Sequence, residues 1–160
     1  MEIREARLED ADHACNVLRR SISQLCVADH GSDPAIINAW LANKTPETAA
    51  RWIGQVGSSF LLAVESDAIL AVGSVTDAGE ILLNYVEPEA RFRGVSRALL
   101  SALEARAVER GNRRCTLTST ATAHRFYRSA GYIDDGAPTG KPGRDSGYPM
   151  SKVIGLGAES

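Results

Sequence analysis

Apolar residues change their spacing along this chain, and the spacing predicts its elements. Glu2 to Arg7 alternates weakly and reads as a short strand. From Asp10 to Leu25, Ala14, Val17, Leu18 and Ile22 recur at helical intervals, with Asp10 placed to cap the first turn. Asp33-Pro34 and Thr45-Pro46 each set a capping side chain before a first-turn proline. They predict short helices near 34–43 and 46–55, one carrying Trp40 and the other Trp52. Three strand-like runs follow, Ser59 to Glu65, Ile69 to Thr76 and Glu80 to Val86. Ser66-Asp67 and Asp77-Ala78-Gly79 separate them and suit antiparallel hairpins.

The pattern then turns helical again. Leu99, Leu100, Leu103 and Ala107 form one stripe of a helix from about Gly94 to Arg110, which Gly111 ends. Cys115 to Thr118 reads as a short strand, Thr122 to Ala130 as a short helix closed by Gly131, and Tyr132 as the start of another strand. A glycine- and proline-rich loop spans Asp134 to Gly147, long enough to act as a lid, and a last strand runs from Tyr148 to Ile154. A meander followed by helix–strand–helix–strand predicts an α+β fold with a mixed sheet, parallel where the helices cross over. There is no internal repeat or linker, so residues 1–155 are expected to form one domain and 156–160 a frayed tail.

Composition narrows the function. A net charge of −2 gives no reason to expect nucleic acid or an anionic membrane as partner, yet arginines cluster locally at Arg91, Arg93 and Arg97. That distribution suits a discrete anionic ligand. Cys15, Cys26 and Cys115 show no paired spacing, so neither a metal site nor a disulfide framework is expected. The first residues carry no apolar leader and no window approaches a membrane span, so a cytoplasmic location is expected.

Two constellations carry chemistry. In the first, the strand ending at Val86 runs through Pro88 into the basic turn Arg91-Phe92-Arg93-Gly94-Val95-Ser96 and on into a helix. Free N–H groups at a helix start, the positive end of its dipole and nearby arginines make an anion site. Gly94 lets the backbone approach an oxygen closely, and Ser96 adds a hydroxyl donor. The second is Thr120-x-x-Ala123-x-x-Phe126-Tyr127-x-x-x-Gly131-Tyr132.

Arg91-x-x-Gly94-x-Ser96 resembles the pyrophosphate-binding signature of the GNAT superfamily of N-acetyltransferases, and the second segment resembles the motif after that family's fifth strand. The resemblance runs from the first strand to about Val153 and looks like one uncharacterised bacterial branch. It implies the GNAT acyl-CoA N-acyltransferase fold: a six- to seven-stranded mixed sheet with four or so flanking helices, in which the strand ending at Val86 splays from the strand at Cys115–Thr118. It implies acetyl-CoA as cofactor. Backbone groups of Tyr85 and Val86 would pair with the pantetheine arm, and the backbone from Arg93 through Val95, Ser96 and Arg97 to Ala98 would hold the pyrophosphate. Arg91 or Arg93 would reach the 3′-phosphate, Ala123 and Phe126 would wall the acetyl end, and the Thr120 hydroxyl would stand where asparagine is frequent.

The reaction so implied is direct attack of a neutral amine, on a small molecule or a peptide, at the thioester. Tyr127 would protonate the leaving thiolate, since a phenol of pKa about 10 lies close enough to a thiol of about 8.5. The Val86 N–H would polarise the carbonyl. Asp29, His30 and Asn84 are candidates for the acceptor side. The general base stays open between Glu80, Glu87, His30, Asp29 and a water chain, and His124 is expected to face solvent. The alternative readings are a non-catalytic acyl-CoA sensor and an interaction domain. The last strand offers an edge through which a homodimer could pair.

Overall fold

A computed structural model describes residues 1–139 and 147–155; residues 140–146 of the expected lid and the tail 156–160 lie outside the described residues. The strands are β1 (Glu2–Glu5), β2 (Ser58–Glu65), β3 (Ala68–Thr76), β4 (Glu80–Val86), β5 (Arg114–Ser119), β6 (Ile133–Asp134) and β7 (Tyr148–Val153). The helices are α1 (Ala11–Leu25), α2 (Val27–His30), α3 (Pro34–Leu41), α4 (Pro46–Ile53), α5 (Val95–Glu109) and α6 (His124–Ser129). The strands form one sheet in the order β1-β2-β3-β4-β5-β7-β6. Every pairing is antiparallel except β4 with β5, as the helical crossover requires.

Local chemistry sets most element ends. The Asp33 carboxylate accepts the Ala35 N–H at 2.9 Å and Thr45 Oγ1 accepts the Thr48 N–H at 3.2 Å, so both proline-led helices are capped as expected. Asp10 differs. Its carboxylate accepts the Arg7 N–H at 2.8 Å and both Arg4 Nη groups at 2.9 and 3.0 Å, closing a 3-10 turn over Leu8–Asp10 instead of capping α1. A bidentate guanidinium is the stronger partner. The turn of helix α2 was not expected; Gly31, at φ +57°, ends it.

Alternate residues of the sheet serve two cores. On one face Leu61, Ala63, Ala71 and Val75 pack against Leu99, Leu103 and Ala107 of α5. On the other, Phe60, Leu62, Val64 and Val72 meet Ala14, Val17 and Leu18 of α1. Gly73 explains how closely α5 sits, because a Cβ there would lie 2.9 Å from Leu103 Cδ1 and 3.1 Å from Leu99 Cδ2.

Two irregularities in β4 open the sheet. Ser74 pairs with Leu83 and Val75 with Ile81, so Leu82 is an extra residue bulged out of β4. The bulge reverses the faces: Ile81 joins the α5 core, while Leu83 and Tyr85 turn to the α1 core. Beyond it β4 leaves β5, since only Glu80 with Thr116 and Ile81 with Leu117 are paired.

Candidate active site

The gap between β4 and β5 is a cavity of about 560 Å³ that passes from one face of the sheet to the other. Val95, Ala123, Phe126 and Tyr127 wall the side of α5 and α6, and Ser21, Leu25, Cys26 and Tyr85 the side of α1 and α2. Ser21 and Leu25 stand one helical turn apart, so the end of α1 presents both to the same space.

The open edge of β4 supplies backbone groups. Glu87 donates its N–H to Leu70 O on β3 at 2.7 Å. Because N–H and C=O directions alternate along an antiparallel strand, Tyr85 also bonds to β3, while Asn84 and Val86 turn theirs toward the gap. The backbone of Tyr85, expected to be open, is thus paired with β3, that of Asn84 borders the gap, and Tyr85 contributes its ring to the cavity wall. Beyond the last β4–β5 pair, the Val86 N–H meets no hydrogen-bond acceptor among the described residues.

The turn before α5 supplies the anion end. Gly94, at φ +77°, leads into the helix, and a Cβ placed there would have nothing within 4 Å. The approach is thus open to a ligand oxygen. Ala98 donates its N–H to Gly94 O at 3.0 Å, which leaves the N–H groups of Val95, Ser96 and Arg97 as the unpaired first turn. Ala98 is therefore no donor to a ligand. Arg91, held over the Phe92 ring at 4.8 Å, and Arg97, held over Phe126 at 5.5 Å, line the cavity. Arg93 does not: its guanidinium pairs with Glu65 at 3.0 Å, on the strand end next to the turn.

Tyr127 is buried and belongs to the α5 core while lining the cavity. Burial pushes its phenol up to about 12, partly offset by a hydrogen bond from Asn84. The Asn84 side-chain oxygen is itself buried without a partner. Burial, and then the charge of Asp29, pushes the Cys26 thiol up to about 12. Thr120 Oγ1 accepts the Ala123 N–H at 3.1 Å and so shapes the turn into α6. That helix starts two residues later than expected, at His124.

Several acceptor-side expectations are corrected. His30 is 1% exposed; its Nε2–H donates to Ile22 O at 2.8 Å and its Nδ1 accepts the Ser32 N–H at 3.0 Å, so both nitrogens are engaged. The Asp29 carboxylate accepts hydrogen bonds from Ala121, Thr122 and the Thr122 hydroxyl. Glu87 pairs with Arg20 at 2.8 Å. Neither these three nor Glu80 lines the cavity. His124 does not face solvent freely: it bonds Asp134 at 2.6 Å and stacks on Tyr148 at 4.0 Å between ring centres. Of the cavity wall, Ser21 and Leu25 had gone unremarked, although their i, i+4 spacing at the end of an amphipathic helix was the available signal.

These features are those of a known family. The family model for the acetyltransferase (GNAT) domain matches residues 26–153. The chain belongs to that family, and as such is an acetyl-CoA-dependent acetyltransferase. Solved structures share the fold. A GCN5-related N-acetyltransferase from Rhodopseudomonas palustris superposes with a TM-score of 0.84 at 24% identity, over 96% of this chain and 95% of that one. The PaiA N-acetyltransferase from Thermoplasma acidophilum, in complex with coenzyme A, gives 0.78 at 19% identity over 96% and 98%. The yncA protein from Salmonella typhimurium, with its cofactor acetyl-CoA, gives 0.68 at 20% over 97% and 94%. No curated protein sequence matches the chain. No helix among the described residues is long and apolar enough to cross a membrane.

Proposed function

We propose that the chain moves the acetyl group of acetyl-CoA directly onto a primary amine of a small molecule or peptide, with Tyr127 as the acid. The observation that carries this reading is the placement of the Tyr127 ring and the open Val86 N–H on one cavity, at the split of β4 from β5.

Acetyl-CoA supplies the activated thioester. The unpaired N–H groups of Val95, Ser96 and Arg97, with the open space at Gly94, fit its pyrophosphate, and the free edge of β4 at Asn84 and Val86 fits its amide-bearing arm. Val86 directs its N–H at the carbonyl oxygen as charge grows there. Tyr127 gives its proton to sulfur as the C–S bond breaks, and is reprotonated by the proton that nitrogen sheds as the N–C bond forms.

A phenol at about 12 is a weak acid toward an ordinary thiolate near 8.5. The low-polarity cavity narrows the mismatch. The Cys26 thiol, across the cavity from Tyr127, is likewise pushed up to about 12 by burial and by the charge of Asp29, so the cavity disfavours negative charge on sulfur as it does on oxygen. A thiolate forming there takes a proton from Tyr127 more readily than it would in water.

The test is Tyr127→Phe. It keeps the ring in the core and removes the proton, so kcat should fall by well over tenfold while acetyl-CoA binds with unchanged affinity. An unchanged kcat would remove Tyr127 from the mechanism.

A further inference from the structure

The acceptor side of the cavity points to a particular kind of amine. We propose that the acceptor is a small, apolar, weakly basic amine, typified by an aromatic amine, which enters as the free base between the end of α1 and β4.

The inference rests on the acetyl-transfer reading and adds the chemistry of the wall. Leu25, Cys26, Leu83 and Tyr85 make that wall, with the Ser21 hydroxyl as its neutral polar group and the Asn84 amide across the cavity beside Tyr127. The titratable side chains facing the whole cavity, among the described residues, are Cys26 after α1, Tyr85 on β4, Arg91 and Arg97 at the anion end, and Tyr127 on α6. None is an acid that could pair with an ammonium ion or take its proton at neutral pH.

The groups able to do either lie nearby, and each is already engaged. Asp29 accepts three hydrogen bonds from the turn at 121–122, Glu87 is ion-paired with Arg20 although its buried Oε1 makes no hydrogen bond, and both ring nitrogens of His30 meet backbone. Burial acts in the same direction. It raises the Cys26 thiol and the Tyr85 phenol, so this wall disfavours charge. A cationic amine entering here would shed its water and find no carboxylate in the lining, with Asp29, whose charge reaches Cys26 and Tyr85, set behind it and already accepting three hydrogen bonds. For a lysine-like amine with pKa about 10.4, only roughly one molecule in 2,500 is neutral at pH 7. An aromatic amine is neutral already and brings a flat apolar body to Leu25, Leu83 and Tyr85.

The experiment is a thiol-release assay on the full chain with saturating acetyl-CoA, comparing a methoxy-substituted aniline, spermidine and a lysine-bearing peptide between pH 6.5 and 9. The expected result is a kcat/KM for the aniline at pH 7 at least a hundredfold above the other two, and flat with pH. Leu25→Asp adds a carboxylate to the wall and should reverse the preference by raising the spermidine rate at least tenfold; acetyl-CoA titration checks that the variant is folded. Faster turnover of spermidine or the peptide by the unaltered chain would overturn the proposed acceptor class and leave acetyl transfer standing. Tight acetyl-CoA binding with no acetylation of any of the three would overturn the transfer reading, and this inference with it.

Discussion

Thr122 Oγ1 donates to the Asp29 carboxylate at 2.6 Å, and the backbone N–H groups of Ala121 and Thr122 reach the same carboxylate at 2.7 and 3.0 Å. One side chain thus ties α2, beside the acceptor wall, to the turn that launches α6 and Tyr127. Asp29 holds the two sides of the split sheet in register. Its lone pairs are committed to that task, which leaves it poorly placed to take a proton from an amine.

Asp29→Ala should therefore act on stability and substrate affinity. Charge-assisted hydrogen bonds at an exposed site contribute about 1–2 kcal/mol in total after screening. For a chain of this length that lowers Tm by about 4 °C. KM should rise for both substrates, and the pH profile of kcat/KM should keep its shape. Asp29→Asn retains one acceptor oxygen and should recover part of the lost Tm. A profile whose acidic limb vanished in Asp29→Asn would instead make Asp29 the base.

Gly94 and Arg93 are neighbours with opposite roles. At Gly94 a methyl group meets nothing in the protein, so Gly94→Ala costs only the left-handed backbone, about 1 kcal/mol. The methyl would, however, stand where a phosphate oxygen approaches, so acetyl-CoA Kd should rise at least tenfold in a calorimetric titration. Arg93 spends its charge on Glu65 in a half-exposed ion pair. Arg93→Ala should leave Kd within about twofold, and Tm almost unmoved, because such pairs contribute little. The reverse order of effects would restore Arg93 as the phosphate ligand.

The sequence was most legible where cause and effect lie within one turn of chain. The caps at Asp33 and Thr45, the stripe from Leu99 to Ala107 and the open turn at Gly94 all follow from local rules. The bulge at Leu82 was hidden because Ile81-Leu82-Leu83 is an unbroken apolar run, and such a run does not say which residue faces which core. That single extra residue decides that Tyr85 faces α1 and Asn84 faces Tyr127. The acceptor side was legible least. His30, Asp29 and Arg93 all carry groups suited to chemistry, and each is claimed by a partner that only the fold brings near: a carbonyl late in α1, a turn 92 residues on, and a glutamate on β2.

Alkaline pH should unfold the protein unusually early. Burial raises the Cys26 thiol from 9.0 to about 12, the Cys115 thiol from 9.0 to about 11 and the Tyr127 phenol from 10.0 to about 12. Each group keeps its proton in the folded chain at a pH where the unfolded chain has released it. The unfolded state then binds fewer protons, and stability falls as pH rises. The contribution is intact below pH 9, where both states are protonated. It is lost between the unfolded and folded values, at up to about 1.4 kcal/mol per pH unit for each group. With two thiols titrating from pH 9 and the phenol joining from pH 10, two pH units remove several kcal/mol from a total of about 5–15. The urea midpoint should be constant from pH 7 to 8.5 and drop steeply between 9.5 and 11. Cys115→Ala, which leaves a cavity in the α5 core, should start lower and fall less steeply. A midpoint level to pH 11 would mean that the thiols titrate as they do in water, and the charge-disfavouring character of the cavity wall would lose its basis.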